Sequence, residues 1–308
     1  MIITVTLNPA IDKTVYIEEF SINEVNRIKK IRKDIGGKGI NVSQNLNNLN
    51  KENLCLTILG GINGEFIKRE LEKQKFNFKI FKVDDEVRVN LKIVDLINNT
   101  FTDVNEPGFK ISNKKINDVI DYIINIAKFD DVIVLSGSVA EGFNKDIYKK
   151  IIEAVECKTI LDTSGKLLFE GIKSKPYLIK PNINELRELV GNDSINSENE
   201  IVNVSRELIN RGIKIIVVSL GEKGSIYVTG NKAFRIKGKN VEVKSTVGAG
   251  DSMVAALAIA IDEEFSIEKM ARFASAVSTA SILTEGSQPG DIEMINELMN
   301  DESNFKFI

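Results

Sequence analysis

Ser245-Thr246-Val247-Gly248-Ala249-Gly250-Asp251-Ser252-Met253, followed by the apolar run Val254 to Ile261, is the stretch on which the reading of this chain turns. Its two glycines permit a sharp turn and let a ligand approach the backbone with no Cβ in the way. Asp251 then opens a run of helix formers, Met253-Val254-Ala255-Ala256-Leu257-Ala258. A glycine turn leading into a helix aims free N–H groups and the positive end of the helix dipole at one point, which suits a phosphate. A carboxylate beside a bound anion repels it unless it has a task. The task expected of Asp251 is to take the proton of a hydroxyl that attacks the held phosphoryl group. The same residues also read as a plain tight turn with Asp251 as N-cap. The chain has neither the third glycine of the dinucleotide fingerprint here nor a P-loop Gly-Lys-Ser/Thr anywhere, so the remaining sequence must choose.

Composition narrows the choice. A chain of 308 residues, 43% apolar and 28% charged, is long enough for one large α/β domain with ample core. A net charge of −3 provides no field for nucleic acid or an anionic membrane, so a phosphate site must be local. The chain contains no histidine, which removes Ser-His-Asp hydrolysis, histidine-ligated zinc and histidine acid–base chemistry together. Cys55 and Cys157 are far apart and form no metal or redox motif, as in a reducing compartment. No apolar run approaches the roughly 20 residues of a membrane span, and the expected location is the cytoplasm.

Ile2 to Leu7 reads as a buried strand ending at Asn8-Pro9, with Asp12 in the loop beyond it. Residues 14–20 and 27–35 look like antiparallel strands with one wet face. Gly36-Gly37-Lys38-Gly39-Ile40-Asn41 is a second glycine-rich turn at a helix start. A strand at 54–59, a helix at 64–74 and a hairpin of 87–96 with 100–104 follow. Helices at 113–128, 144–156, 183–190 and 198–211 then alternate with strands at 131–135, 158–162, 177–180 and 214–219. A late hairpin joins 225–228 to 233–237, and helices are expected from Asp251 nearly to the end. This alternation implies a mainly parallel sheet with helices on both faces. The expectation is one domain, 1–308, with a small accessory sheet from about 11–35 and 86–106. Ligands of open α/β sheets bind beyond the carboxyl ends of the strands. Asp12, Gly60-Gly61, Ser136-Gly137-Ser138, Lys180-Pro181-Asn182 and Ser219-Leu220-Gly221-Glu222-Lys223-Gly224 all fall there.

Together these residues resemble the ribokinase/PfkB family of sugar kinases. The Gly36–Asn41 and Val247–Asp251 turns are similar to its two signatures. Lys180-Pro181-Asn182-Ile183-Asn184-Glu185 resembles its Lys-Pro-Asn-x-x-Glu element, and Ser219–Gly224 its Ser-Leu-Gly-x-x-Gly nucleotide loop. Within the family, Thr4–Asp12, Ser245–Ala255 and Thr102–Gly108 are most similar to the ketohexose-phosphate kinases, chiefly the 1-phosphofructokinases. Tagatose-6-phosphate kinases share most of these features, and Phe109 departs from the pattern by standing where a proline is expected.

The resemblance implies a ribokinase-like fold whose accessory sheet is a lid over the sugar. It implies transfer of a phosphoryl group from ATP, with Mg2+, to the 6-hydroxyl of fructose 1-phosphate; K+ is admitted as a further cation. The alternatives are tagatose 6-phosphate as substrate and, from another class, a regulator that binds sugar phosphate without turnover. Asp251 is the expected base, with the N–H groups of Gly248, Ala249 and Gly250 stabilising the transferring group. Asp12, Gly37, Gly39 and Asn41 are expected in the sugar pocket. Arg27, Lys38, Arg88, Lys92 and Ser138 are candidates for the substrate's own phosphate. Lys180, Asn182, Ser219, Gly221, Lys223 and Gly224 are expected at ATP, and Asn182 with Glu185 at magnesium through water. A homodimer joined through the lids is implied, with Val15, Ile17, Val89 and Leu91 as outward apolar residues. A dinucleotide-binding oxidoreductase is disfavoured, because no Gly-x-Gly-x-x-Gly follows the first strand.

Overall fold

The first strand, β1 (Ile2–Thr6), is buried along its whole length and divides its side chains between two cores. Ile2 clusters with Val42, Leu46 and Val254, whereas Ile3 and Val5 cluster with Leu56, Ile133 and Leu135. A strand apolar on both faces belongs inside a sheet covered on both sides. In chain order there follow β2 (Ala10–Ile17), β3 (Ile28–Gly36), α1 (Lys38–Asn48), β4 (Asn53–Leu59), α2 (Gly61–Lys73), β5 (Phe78–Lys82), β6 (Arg88–Asp95) and β7 (Thr100–Asn105). The middle holds α3 (Asn113–Ile126), β8 (Val132–Ser136), α4 (Ile147–Ala154), β9 (Lys158–Asp162), α5 (Gly165–Gly171), β10 (Leu178–Ile179), α6 (Ile183–Val190) and α7 (Glu198–Asn210). The last part holds β11 (Ile215–Ser219), β12 (Gly224–Val228), β13 (Ala233–Lys237), α8 (Ala249–Asp262), α9 (Ile267–Ser281), α10 (Ile292–Asn300) and β14 (Phe305–Phe307). This computed structural model describes residues 1–284, 286, 288–300 and 305–308.

Ten strands form one sheet in the order β14-β13-β12-β11-β10-β9-β8-β1-β4-β5. Pairing is parallel from β11 to β5 and antiparallel from β11 to β14. Residues of α1, α8, α9 and α10 share the core on one face, and residues of α2 to α7 that on the other. The expected α/β architecture is therefore present. Every residue of α8 from Asp251 to Ile261 is buried. Each large apolar side chain in that run contributes about 1.5–3 kcal/mol relative to exposure, enough to fix the helix and hence its N-terminus.

The second sheet has the order β3-β2-β6-β7, with β2 and β6 parallel and the outer pairs antiparallel. Asp12 is a residue of β2, opposite Asp34 and Asn90, rather than of a loop after β1 as expected. Val15 and Ile17 are buried and Val89 and Leu91 partly so, which corrects the expectation that these four point outward. The exposed apolar residues lie on the outer strands: Ile28 and Ile31 on β3, Phe101 and Val104 on β7. Inner strands of a four-stranded sheet are shielded by their neighbours, so only the margins stay open.

Three elements escaped the sequence reading. β5 is a five-residue edge strand of mixed lysine and apolar residues, α5 has only seven residues, and β14 closes the far edge where helix was expected. Helix α4 is also shorter than 144–156. Phe109, the departure from the proline pattern, is buried in the core. Among the described residues no helix is long and apolar enough to cross a membrane.

Candidate active site

Helix α8 begins at Ala249, two residues before Asp251, with Gly248 as its N-cap at φ 81°. That left-handed conformation is the one glycine adopts without strain. Asp251 is therefore in the first turn and not the N-cap, and its side chain makes no capping bond. Its carboxylate is buried and accepts a hydrogen bond from Asn41 Nδ2 at 2.7 Å. Burial pushes its pKa up to about 6, with Asp162 adding to the rise while Lys38, Asn41 and Lys180 oppose it. Such a group is ionised at neutral pH yet basic enough to take a proton.

Asn41 comes from α1, which starts in the other glycine turn. A Cβ on Gly37 would stand 2.7 Å from Thr6 Cγ2, and one on Gly39 would meet Thr6 Oγ1 and the Val5 carbonyl oxygen. Both glycines let α1 lie directly on the end of β1, which brings Asn41 under α8. Asn41 thus holds Asp251 with its amide nitrogen, while its Oδ1 is buried without a partner among the described residues.

Lys38, a candidate for the substrate's phosphate, donates to Asp162 Oδ2 at 3.1 Å. Lys180, buried at the end of β10, stands 3.2 Å from Asp162 Oδ1. Burial pushes the Asp162 pKa up, but Lys180 and Lys38 together outweigh it and hold the carboxyl below its ordinary range. Lys38 is raised in return, by Asp162 above all. A Cβ on Gly250 would lie 3.5 Å from Lys180 Nζ, so that ammonium faces the first turn of α8.

On the small-sheet side, Asp12 Oδ1 accepts from Asn90 Nδ2 at 2.9 Å, and a Cβ on Gly36 would strike the Asp12 carboxylate. Burial raises the Asp12 pKa, against the opposing pull of Asn90 and Arg88. Ser138 Oγ accepts from Asn8 Nδ2 at 3.2 Å and from Arg88 Nη2 at 3.5 Å. Arg88 Nη1 donates to the Glu106 carbonyl, and its buried Nε has no partner among the described residues. The structure thus brings Asp12, Arg88 and Ser138 together. Lys92 is engaged elsewhere, 3.6 Å from Asp103 and over the Phe101 ring. Arg27 is exposed and precedes β3 at the end of the β2–β3 hairpin opposite Gly36. Nine residues at about 3.3 Å each put it roughly 30 Å from that glycine along the strand.

Across the α8 turn lies a cavity of about 350 Å³ lined by Asn182, Ser219, Gly221, Gly224, Thr246, Ala249, Gly250 and Met253, with Ser275, Ser278 and Thr279 of α9 behind them. A Cβ on Gly224 would strike the Ile236 carbonyl oxygen, so glycine is required for the β12–β13 hairpin to close there. The Lys223 side chain is exposed and does not line this cavity. Asn182 and Glu185 form a capping box on α6: Asn182 Oδ1 accepts from the Asn184 and Glu185 N–H groups, and Glu185 Oε2 from the Asn182 N–H. No group of three or more Cys, Asp and Glu able to hold a metal occurs among the described residues. Glu185 Oε1 accepts no hydrogen bond from the described residues, leaving one carboxylate oxygen for a hydrated cation.

Sequence reasoning missed Asp162 and Asn90. Asp162 ends β9 at the same sheet edge as Ser136 and Ser219, so the rule that flagged those loops also covered it. Asn90 carried no signal, because its link to Asp12 is a cross-strand pairing between residues 78 positions apart.

Residues 5–294 match the pfkB family carbohydrate kinase profile. The chain is 34% identical over 286 residues to the 1-phosphofructokinase of Borreliella burgdorferi, covering 92% of each. It is 33% identical over 281 residues to the tagatose-6-phosphate kinase of Staphylococcus epidermidis, covering 90% of each. Among solved structures, it superposes on phosphofructokinase-2 from Escherichia coli in complex with potassium, with a TM-score of 0.91, 26% identity and 97% of each chain covered.

Proposed function

Because the chain belongs to the pfkB family of carbohydrate kinases and is a sugar kinase, we propose that it transfers the γ-phosphoryl group of ATP to the 6-hydroxyl of fructose 1-phosphate. The products are fructose 1,6-bisphosphate and ADP. The observation that carries this reading is the buried, Asn41-held Asp251 in the α8 turn, whose neighbours Gly250 and Met253 line the 350 Å³ cavity.

In the proposed reaction ATP occupies the cavity over Ser219, Gly221 and Gly224, with its phosphates toward Lys180 and the α8 turn. Asp12 accepts from sugar hydroxyls, and Arg88 with Ser138 binds the 1-phosphate; a guanidinium suits that oxyanion. Asp251 takes the 6-hydroxyl proton as the oxygen bonds to the γ-phosphorus and the bond to ADP breaks. The N–H groups of Gly248, Ala249 and Gly250 have no acceptor one turn earlier and stabilise the charge on the transferring group. Magnesium would be held with the help of Asn182 and Glu185, through water, and would supply charge neutralisation at the phosphates. Potassium is a further candidate cation, checked by replacing it with sodium in the assay.

The small sheet, within a single domain, acts as a lid that excludes water. Its exposed Ile31 and Val104 invite a second copy, and only in such a dimer would the distant Arg27 reach a substrate. A single mass peak at the monomer value at micromolar protein would break that part of the proposal. The expected location is the cytoplasm.

The test is ADP release with ATP and magnesium across fructose 1-phosphate, tagatose 6-phosphate, fructose 6-phosphate and fructose. Strong preference for fructose 1-phosphate is expected. Preference for tagatose 6-phosphate, the reading favoured by the Staphylococcus relative, would replace the substrate and keep the mechanism. No turnover on any would favour a sugar-phosphate-binding regulator.

A further inference from the structure

Three strand ends, those of β8, β9 and β10, sit side by side under the α8 turn, and the middle one supplies an acid the reaction above does not use. Asp162 is 1% exposed, and two ammonium groups from different parts of the chain converge on it. Lys38 arrives from the start of α1 and Lys180 from the end of β10. Lys38 Nζ donates to Oδ2 at 3.1 Å, and Lys180 Nζ lies 3.2 Å from Oδ1. Each carboxylate oxygen thus takes a different ammonium. The glycine at 250 leaves open the space before the Lys180 ammonium, since a Cβ there would sit 3.5 Å from it.

We infer that Asp162 is a positioning residue for phosphoryl transfer, gathering Lys38 and Lys180 into one ammonium pair at the mouth of the α8 turn. This rests on the ATP-dependent transfer proposed above. Two ammonium groups repel each other, and without a shared anion one of them would turn outward or lose its proton. Asp162 removes that conflict. With Asp251 it completes a set of two carboxylates and two ammonium groups of no net charge, of which Asp162, Asp251 and Lys180 are buried and Lys38 partly exposed. The pair can then meet the oxygens of a transferring phosphoryl group with no reorganisation at the moment of reaction.

Asp162→Asn, close in shape and uncharged, tests the inference. Removing a negative charge leaves ground-state attraction for nucleotide intact but loses the alignment. The expected result is a kcat reduced about 10–100-fold, with the KM for ATP changed less than about threefold. The groups facing Asp251 are Lys38, Asn41, Asp162 and Lys180. Loss of the Asp162 charge should move the acid limb of kcat/KM to lower pH, an effect that loss of packing alone does not direct. Two results would overturn the inference: a kcat within twofold of the parent, or a loss confined to the apparent affinity for Mg2+, which would make Asp162 a metal residue.

A readout independent of turnover keeps this separate from the proposed function. By 13C NMR of the lysine side chains, Lys38 should titrate at lower pH in the variant than in the parent; an unchanged titration refutes the pairing even if the parent turns over no sugar phosphate. If Asp162→Asn does not fold, Asp162→Asn/Lys180→Met removes the stranded charge. Its kcat should then lie within about threefold of Lys180→Met alone, and multiplicative losses would count against a single unit.

Discussion

The two glycine-rich turns, Gly36-Gly37-Lys38-Gly39 and Val247-Gly248-Ala249-Gly250, look like equivalents in sequence and differ in what surrounds them. In the first, the space that side chains would fill is taken by the protein: Asp12 against Gly36, Thr6 against Gly37, and Thr6 with Val5 against Gly39. In the second, Gly248 is needed for its positive φ, and beside Gly250 there is only the Lys180 ammonium. One turn is filled and the other is open. The filled turn sets where α1 lies and so where Asn41 meets Asp251. The open turn leaves helix N–H groups for a ligand. Glycine in a motif is thus a statement about close approach, and only the surroundings say whether the approaching atoms are protein or ligand.

The sharpest test of the open turn is Asp251→Asn, which should lower kcat by about 10²–10⁴-fold while sugar phosphate and ATP still bind in calorimetry. Loss of binding together with turnover would make Asp251 a scaffold residue. Arg88→Met should raise the KM for the sugar phosphate about 10–100-fold and leave the KM for ATP near its parent value, since a charge-assisted bond is worth about 1.5–3 kcal/mol. An equal rise in both would place Arg88 outside the substrate cluster.

Alanine at the two turns probes the comparison itself. Gly39→Ala should destabilise the fold by about 1–3 kcal/mol in denaturant unfolding, because the added methyl has nowhere to go. Gly250→Ala should change stability by less than about 1 kcal/mol, yet reduce kcat about tenfold by placing a methyl in the space before the Lys180 ammonium. Equal destabilisation at both would erase the distinction drawn here.

The smallest effect is in pH. With Asp251 near pKa 6, kcat/KM should fall as pH drops below about 6, where the base takes up its proton. The sign for stability is opposite. A carboxyl whose folded pKa lies above its unfolded value costs stability when ionised, fully above about pH 6 and not at all below the unfolded value. Asp251→Asn should therefore melt a few degrees above the parent at pH 8, with the gap narrowing as pH falls toward 4. A gap that is constant with pH would show that the ionised base is not a strained one.

Much of the architecture was legible because it rests on local signals. Apolar runs marked β1, β8 and β11, and the alternation of strand and helix marked α3, α6 and α7, which Ser112, Asn182 and Ser197 cap in the structure. Short or edge elements such as β5, α5 and β14 were not legible, because a few residues supply little periodicity and their pairing is decided by neighbours. The sheet that carries Asp12 is assembled from two stretches about 70 residues apart, and its strand order has no local mark.

The sequence alone determined the class of fold, the family, and the candidacy of Asp251, Asp12, Arg88 and the Ser219–Gly224 loop, since residue type and spacing travel with the chain. Only the tertiary structure decided that Asn41 holds Asp251 and that Gly37 and Gly39 serve packing. The same is true of Asn182 and Glu185 capping a helix and of Lys38 and Lys180 sharing Asp162. Hydrogen bonds and ion pairs between residues tens to hundreds of positions apart depend on distances of about 3 Å, and those distances exist only after the strands have chosen their neighbours.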